Sequence, residues 1–250
     1  MAFQFRRSGN PGLNQNTFGR VPRVGFGDQP MTVAGTVNKS FLLLVVMMVC
    51  ALWPWSQASA GNLQAASGLM TLGAIGGFIL ALIISFKPTT APYLALPYAA
   101  LEGVVLGGIS AVFEQRYPGI AIQAIGATFA VTLVMLTLYR TRVIRVTERL
   151  RAVVMGAMFG IVLLYVGAWI LSFFHFAVPF INGGGPLGIG FSILVVGVAA
   201  FMLLLDFDMI EQGAAQGAPQ YMEWYGAFGL MVTLVWMYVE MLRLMAKLRE

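Results

Sequence analysis

Long apolar stretches with almost no charge are the feature that most limits what this chain can fold into. Each runs for about 17 to 23 residues, the length an α-helix needs to cross a ~30 Å hydrocarbon layer. Of the 250 residues, 59% are hydrophobic and only 10% are charged, whereas about 25% are charged in soluble domains. A soluble fold would leave this apolar surplus facing water. The sequence therefore predicts an all-α polytopic membrane protein.

About seven membrane-spanning helices are predicted from these stretches. If the N-terminus is cytoplasmic, most of the 15 basic residues lie on the cytoplasmic side, as the positive-inside rule expects. A basic C-terminus with Arg243, Lys247 and Arg249 would then lie outside, so six spans plus a re-entrant last helix is the alternative. The seven predicted spans are Ser40–Trp53 extended by its flanks, Gly68–Phe86, Leu94–Phe113, Ile120–Tyr139, Ala152–Phe174, Pro186–Leu205 and Tyr225–Met245.

The first 39 residues differ from the rest because they are rich in Gly, Asn, Pro and Arg and have no sustained apolar period. They are predicted to form a flexible basic cytoplasmic tail, and residues 40–250 the membrane domain. The first apolar run begins only at Ser40, which disfavours a cleaved signal peptide even though Ala58–Ala60 resembles a cleavage site. The bases lie in tails and loops rather than along one face with aromatic residues, which argues against nucleic-acid binding.

Acidic residues inside the apolar stretches are the candidates for function. Each costs several kcal/mol near the bilayer centre unless it faces protein or water and has a partner. Glu102 lies well inside the third span, Asp206 and Asp208 end the sixth, and Glu240 lies in the last.

Asp206 and Asp208 have two interpretations. Both are solvated carboxylates if the sixth helix ends where its apolar run ends. If the helix continues to the turn at Gly217–Pro219, Asp206 faces the last helix near Thr233. A buried carboxyl there is expected to change its charge near neutral pH.

Glu240 and Lys87 are each open to two interpretations. Glu240 is either paired with Arg243 at i+3 near the membrane interface or an inward-facing functional acid. Lys87, at the inner end of the second span, is either a membrane anchor or the ion-pair partner of Asp206.

Catalytic and cofactor chemistry is not predicted. His175, the single histidine, has no Cys, Asp or Glu at metal-ligand spacing, and Cys50 alone forms no disulfide framework. Gly190-Phe191-Ser192 suggests an intramembrane serine protease, but no base is apparent on a later helix. No phosphate-binding loop or redox motif is present, so the sequence favours a protein that conducts, senses or binds rather than an enzyme.

Three segments resemble the Bax inhibitor family, also called the transmembrane Bax inhibitor motif family, and more narrowly its bacterial YccA-like branch. They read KPTTAPYLALPYAALEGVVLGG, LLLDFDMIEQ and YMEWYGAFGLMVTLVWMYVEMLRLM. The likeness runs from about Val37 to the C-terminus. It implies six helices around a central seventh, and a pH-sensitive leak of calcium or other cations across a bacterial cytoplasmic (inner) membrane.

The resemblance also assigns roles to residues. In the family a pair of aspartates on the last two helices forms a proton-sensitive latch, and a base of the second helix pairs with one of them. These carry over to Asp206 and Lys87, with Glu102 and Gly103 as the Glu-Gly motif. The second aspartate falls on about Thr233, which cannot ionise. Three outcomes are then open: Glu240 substitutes for it at a different depth, Asp206 and Asp208 titrate locally with Lys87, or this branch has lost the leak.

Two functional hypotheses follow. In the first, Asp206, with Asp208, Glu240, Lys87 and Glu102, forms a polar cluster that gates a proton or cation path, with calcium binding transiently at Asp206 and Glu240. In the second, the chain is a non-conducting regulator that binds a membrane partner such as a quality-control protease through its N-terminal tail. Its small-residue helix faces would suit a monomer or a homodimer.

Overall fold

Seven long α-helices make up the regular structure of the part of the chain that the computed structural model describes, residues 29–174 and 183–250. All seven are long and apolar enough to cross a membrane, and the described residues form no strand beyond an isolated bridge between Pro30 and Pro219. The prediction of an all-α multi-pass membrane protein is therefore confirmed. The helices are α1 Val33–Ser59, α2 Leu63–Phe86, α3 Ala91–Arg116, α4 Ile120–Arg140, α5 Glu148–Phe173, α6 Pro186–Ala215 and α7 Tyr221–Lys247, with a short 3-10 turn at Pro88–Thr90 before α3.

Two helix ends differ most from the predicted spans. α1 begins at Val33 rather than at Ser40, because Thr32 caps it by accepting a hydrogen bond from the Gly35 N–H. α6 continues past Leu205 to Ala215 and ends before Gly217, whose φ is 66°. Hydropathy marks only the part of a helix that suits hydrocarbon, whereas caps and turns set where the helix stops.

The helices alternate in direction, so the bundle has two ends. Thr32, just before α1, donates to Glu223 in the first turn of α7, and this is named the Glu223 end. Lys247, the last residue of α7, donates to Gly188 in the first turn of α6, and this is named the Lys247 end. α7 connects the two ends without a break over 27 residues, about 40 Å at ~1.5 Å per residue. The structure thus supports seven spans rather than six and a re-entrant helix.

α7 packs against α1, α3, α4 and α6 and is the most buried of the seven candidate spans, whereas α5 is the least buried. The resemblance implies that all six other helices surround α7, and this stays a prediction. The layers between α6 and α7 are filled by apolar side chains such as Leu203, Met237 and Leu242, each 0% exposed.

Glycines allow α1 and α3 to approach closely. A Cβ added at Gly103 would lie 2.2 Å from the carbonyl oxygen of Met47, and one at Gly107 would lie 2.2 Å from that of Ala51. On the other side of α3, a Cβ at Gly73 of α2 would lie 3.1 Å from the Leu101 carbonyl oxygen. The small-residue faces of these helices therefore serve packing within one chain.

Candidate functional site

Asp206 lies inside the bundle, on the face of α6 that meets α7. The residue is 8% exposed, and its side chain faces Thr233 on α7, whose hydroxyl donates to the Gly229 carbonyl oxygen at 3.3 Å. The solvated interpretation of Asp206 is therefore wrong. The prediction that α6 continues to the turn, so that Asp206 faces Thr233, is confirmed.

One oxygen of this carboxyl has no partner. Asp206 Oδ2 is the single buried side-chain nitrogen or oxygen without a hydrogen-bond partner among the residues that the structure describes. The adjoining turns of α6 present the buried Leu203 and Ile210, and none of the ion pairs between described residues includes Asp206. An ionised Asp206 carboxylate would therefore lose its hydration without gaining an ion pair to a described residue, which is energetically costly.

Asp208, only two residues further on, has a different environment. Its Oδ2 accepts from Arg151 Nη2 at 2.7 Å and from Gln212 Nε2 at 2.6 Å. Arg151 belongs to the first turn of α5, so this ion pair joins α5 to α6 at the Glu223 end. The structure does not bring the two aspartates together as one titrating unit.

Lys87 does not reach Asp206. It follows the last residue of α2, is exposed, and forms no ion pair with a described residue. The expected Lys87–Asp206 pair is therefore absent from this structure, and the position of Lys87 at a helix end is that of an anchor.

A cluster at the Glu223 end was missed from the sequence. Glu223 is 3% exposed; it accepts from the Thr32 N–H at 2.8 Å and the Thr32 hydroxyl at 2.9 Å, and it pairs with Lys39. Its carboxylate lies at the N-terminus of α1, where the helix dipole favours negative charge. The sequence offered one signal for this cluster, an acidic residue in the first turn of the last helix. Acidic residues are common there because they interact favourably with the helix dipole, so the signal does not by itself indicate a cluster.

Glu240 is buried and fully partnered. It is 1% exposed, and the Tyr165 hydroxyl of α5 lies 3.0 and 3.1 Å from its two oxygens. Arg243 donates to Oε1 at 2.9 Å, and its guanidinium lies 5.2 Å from the centroid of the Tyr165 ring. Both interpretations of Glu240 are therefore partly right, because the residue pairs with Arg243 and also lies inside the bundle.

Glu102 faces α2 rather than the α6–α7 interface. It is hydrogen-bonded to Tyr98 one turn earlier on α3, and a Cβ added at Gly77 of α2 would lie 3.4 Å from Glu102 Oε1. Tyr98 in turn contacts Phe228 of α7 edge-to-face, with ring centroids 5.0 Å apart. Glu102 thus contributes to the packing of α2, α3 and α7.

Ser192 has a basic partner after all. Lys247 Nζ lies 2.9 Å from Ser192 Oγ and 3.1 Å from the Gly188 carbonyl oxygen, so a base does lie on a later helix. Ser192 is only 2% exposed and is held inside α6. Because no substrate bond can approach a hydroxyl so enclosed, this geometry joins two helix ends rather than forming a nucleophile site.

The described side chains do not form a candidate metal centre. Within residues 29–174 and 183–250, no group of three or more His, Cys, Asp or Glu side chains is placed to hold a metal ion. His175 and the arginines of the N-terminal tail lie outside the described residues.

Comparison with known proteins gives one match. A family model described as Bax inhibitor 1 like matches residues 4–250, nearly the whole chain. Neither the curated proteins nor the solved structures include a significant match.

Proposed function

Since the chain belongs to the Bax inhibitor 1 like family, we propose that it is a membrane leak for protons or small cations, gated at Asp206. The observation that carries the proposal is the buried Asp206 carboxyl, whose Oδ2 has no hydrogen-bond partner among the described residues. The resemblance of this residue to the first aspartate of the family's latch supports the same assignment.

The chemistry follows from the cost of burying charge. An ionised carboxyl away from water is destabilised by several kcal/mol unless a cation or a proton neutralises it. Asp206 has no such ion among the side chains around it, since Thr233 supplies only a hydroxyl. The group is therefore suited to taking up and releasing a proton or a passing cation, and each exchange would favour one packing of α6 against α7 over another.

The identity of the ion is constrained by the oxygen atoms at hand. Calcium takes about six to eight oxygen ligands, whereas Asp206 and Thr233 together offer three side-chain oxygens. A resident calcium site is not supported by this count. Protons, or a cation that keeps most of its water, suit the position better.

Thr233 changes how the gate should respond to pH. A pair of carboxyls sharing a site titrates in two coupled steps, whereas Asp206 faces a hydroxyl and has a single exchangeable proton. We therefore propose a one-proton gate, with a flux that changes over about two pH units, as for any single acid.

The proposed location is a bacterial inner membrane with the Glu223 end in the cytoplasm. Among the described residues, more bases lie at the Glu223 end than at the Lys247 end, as the positive-inside rule expects of a cytoplasmic face. Those at the Glu223 end are Lys39, Lys87, Arg140, Arg142, Arg145, Arg149 and Arg151, and those at the Lys247 end are Arg116, Arg243, Lys247 and Arg249.

The test is ion flux into dye-loaded proteoliposomes containing the purified protein, measured with proton and calcium dyes between about pH 5 and 8. Asp206→Asn is expected to remove the pH dependence of the flux. Asp208→Asn is the matched control, because Asp208 is an aspartate of the same helix with its own Arg151 partner, and it should leave the dependence in place. Thr233→Asp should make the response broader or two-stepped.

Equal flux in wild type and Asp206→Asn over the whole pH range would overturn the gate. A complete lack of flux in the wild type would instead favour the regulator that binds a membrane protease. Deleting residues 2–28, which keeps Thr32 and the whole of α1, separates the two functions, since a regulator that docks through its tail would lose its partner whereas a leak would keep its flux.

A further inference from the structure

The interface between α6 and α7 contains polar side chains at regular levels. Asp206 of α6 meets Thr233 of α7, and Ser192 of α6 meets Lys247 of α7. On each helix the two residues are about four turns apart and lie on one face. The two helices therefore keep a constant antiparallel register from the middle of the bundle to the Lys247 end.

Glu240 lies on the same face of α7, about two turns from Thr233 and two from Lys247. In the register fixed by the outer two pairs, the residue opposite Glu240 on α6 is Ala199. Ala199 is 0% exposed and Glu240 is 1% exposed. The interface thus has three polar levels in a row, at Asp206–Thr233, at Glu240 and at Ser192–Lys247, with apolar layers between them.

The level nearest to water is positively charged. The Lys247 ammonium is held between the Ser192 hydroxyl and the Gly188 carbonyl, at 2.9 and 3.1 Å. Arg243, one turn before it on α7, is bound to Glu240. A cation that enters this interface from the Lys247 end meets the ammonium before it reaches either carboxyl. At close range the repulsion between two unit charges amounts to several kcal/mol.

We propose that Lys247 is the plug of the α6–α7 path at this end, where its tethered ammonium excludes cations from Glu240 and, beyond it, from Asp206. The proposal rests on the leak proposed above, and it adds a residue that determines which ions enter. Ser192 and Gly188 are positioning groups, because they hold the ammonium across the entrance. Movement of this one side chain exposes Glu240, the first carboxylate inside the α6–α7 interface.

The experiment measures access rather than conduction, so its result does not depend on whether the protein leaks. In a Cys50→Ser background, Ala199→Cys places a thiol opposite Glu240. The protein in lipid nanodiscs is treated with a trimethylammonium-ethyl methanethiosulfonate and, separately, with a neutral hydroxyethyl methanethiosulfonate. The ratio of the two labelling rates reports how strongly positive charge is excluded.

Removing the ammonium with Lys247→Met should raise the rate for the cationic reagent by about tenfold or more relative to the neutral one. Ser192→Ala leaves Lys247 in place but removes one of its acceptors, and it should raise the same ratio by a smaller factor. Lys247→Arg keeps the charge and should keep the ratio low. Arg249→Met is the matched control, because Arg249 is an exposed base of the same end that donates to Pro118 and Gln123, and it should not change the ratio.

An equal rise for both reagents in Lys247→Met would show that the side chain only holds two helix ends together, and would overturn the proposal. No change in either rate would overturn it as well. If the ratio rises as expected while wild-type proteoliposomes show no flux, the plug stands and the proposed leak fails. If flux is gated at Asp206 but the ratio is unchanged, the leak stands and the plug fails.

Discussion

Asp206 and Glu240 are both buried acids of the α6–α7 interface, but their energetic situations are opposite. Glu240 has the Tyr165 hydroxyl and the Arg243 guanidinium as partners. Asp206 faces the Thr233 side chain, and its Oδ2 has no hydrogen-bond partner among the described residues. A buried polar atom without a hydrogen bond costs about 1–3 kcal/mol. The unpartnered oxygen of Asp206 therefore lowers the free energy of unfolding, whereas Glu240, which has both its partners, does not.

The same apolar substitution should then have opposite effects at the two sites. Asp206→Leu is expected to stabilise the protein by about 1–3 kcal/mol, because it removes the unpartnered oxygen. Glu240→Leu should destabilise it by about as much or more, because it leaves Tyr165 and Arg243 without their acceptor. Thermal unfolding of the detergent-purified variants measures both. A lower melting temperature for Asp206→Leu than for wild type would contradict this account of Asp206.

Gly35 is a second residue with a local physical role. A Cβ added there would lie 2.2 Å from Glu223 Oε1, so the carboxylate would have to leave Thr32 and Lys39. Gly35→Ala should lower the free energy of unfolding by about 1–3 kcal/mol. In a Glu223→Ala background the same change should cost almost nothing, since the carboxylate is already gone.

The double-mutant cycle of thermal unfolding free energies measures this coupling. Gly197→Ala on α6 is the control, because a Cβ added there meets nothing within 4 Å. Equal costs of Gly35→Ala with and without the Glu223 carboxylate would mean that Gly35 is needed for some other reason.

At the scale of elements, the helices differ in how firmly they are packed. α3 touches the backbone of α1 at Gly103 and Gly107, whereas α5, within the described part of the chain, packs closely only with α6. Arg151 adds an ion pair with Asp208 of α6, and Tyr165 connects α5 to α7 through its hydrogen bond to Glu240. The cost of replacing a glycine, measured as the loss in free energy of unfolding, should therefore depend strongly on which helix carries it.

Gly107→Ala should be costly because the added Cβ would lie 2.2 Å from the Ala51 carbonyl oxygen, which is backbone and can move only with α1. We expect a loss of about 1–3 kcal/mol, as for overpacking of a tight core. Gly160→Ala on α5 is the matched control; a Cβ there meets nothing within 4 Å, and the change should be neutral or stabilising. Thermal unfolding of the two variants side by side tests this, and equal losses would contradict the proposed difference in packing.

The number and nature of the helices could be predicted from the sequence because an uncharged apolar run of sufficient length has few other stable folds. It was also predictable that the Asp206 side chain faces α7, since this depends only on α6 continuing to the turn at Gly217. The partners of the charges were not. Lys39–Glu223 and Ser192–Lys247 join residues far apart in sequence, and periodicity within one helix carries no information about which face of another helix it meets.

At the scale of the whole molecule, the bundle has a definite polarity. An odd number of continuous crossings puts the start of α1 and the end of α7 at opposite ends, and α7 itself runs from Glu223 to Lys247. In the proposed orientation, which places the base-rich Glu223 end in the cytoplasm, the proposed plug at Lys247 would face the periplasm and the Asp208–Arg151 pair the cell interior. The direction in which a cation meets Lys247, Glu240 and Asp206 then follows from the topology alone.

This polarity is tested with single thiols at the two ends in a Cys50→Ser background. Leu248→Cys marks the Lys247 end and Arg145→Cys marks the Glu223 end, and both native residues are exposed. In intact cells a membrane-impermeant maleimide should label only the Leu248→Cys protein, and Arg145→Cys should react only after the inner membrane is permeabilised. The reverse pattern would keep seven crossings and overturn the proposed orientation. Equal labelling of both thiols from one side would require an even number of crossings between Arg145 and Leu248, and would contradict the crossings by α5, α6 and α7.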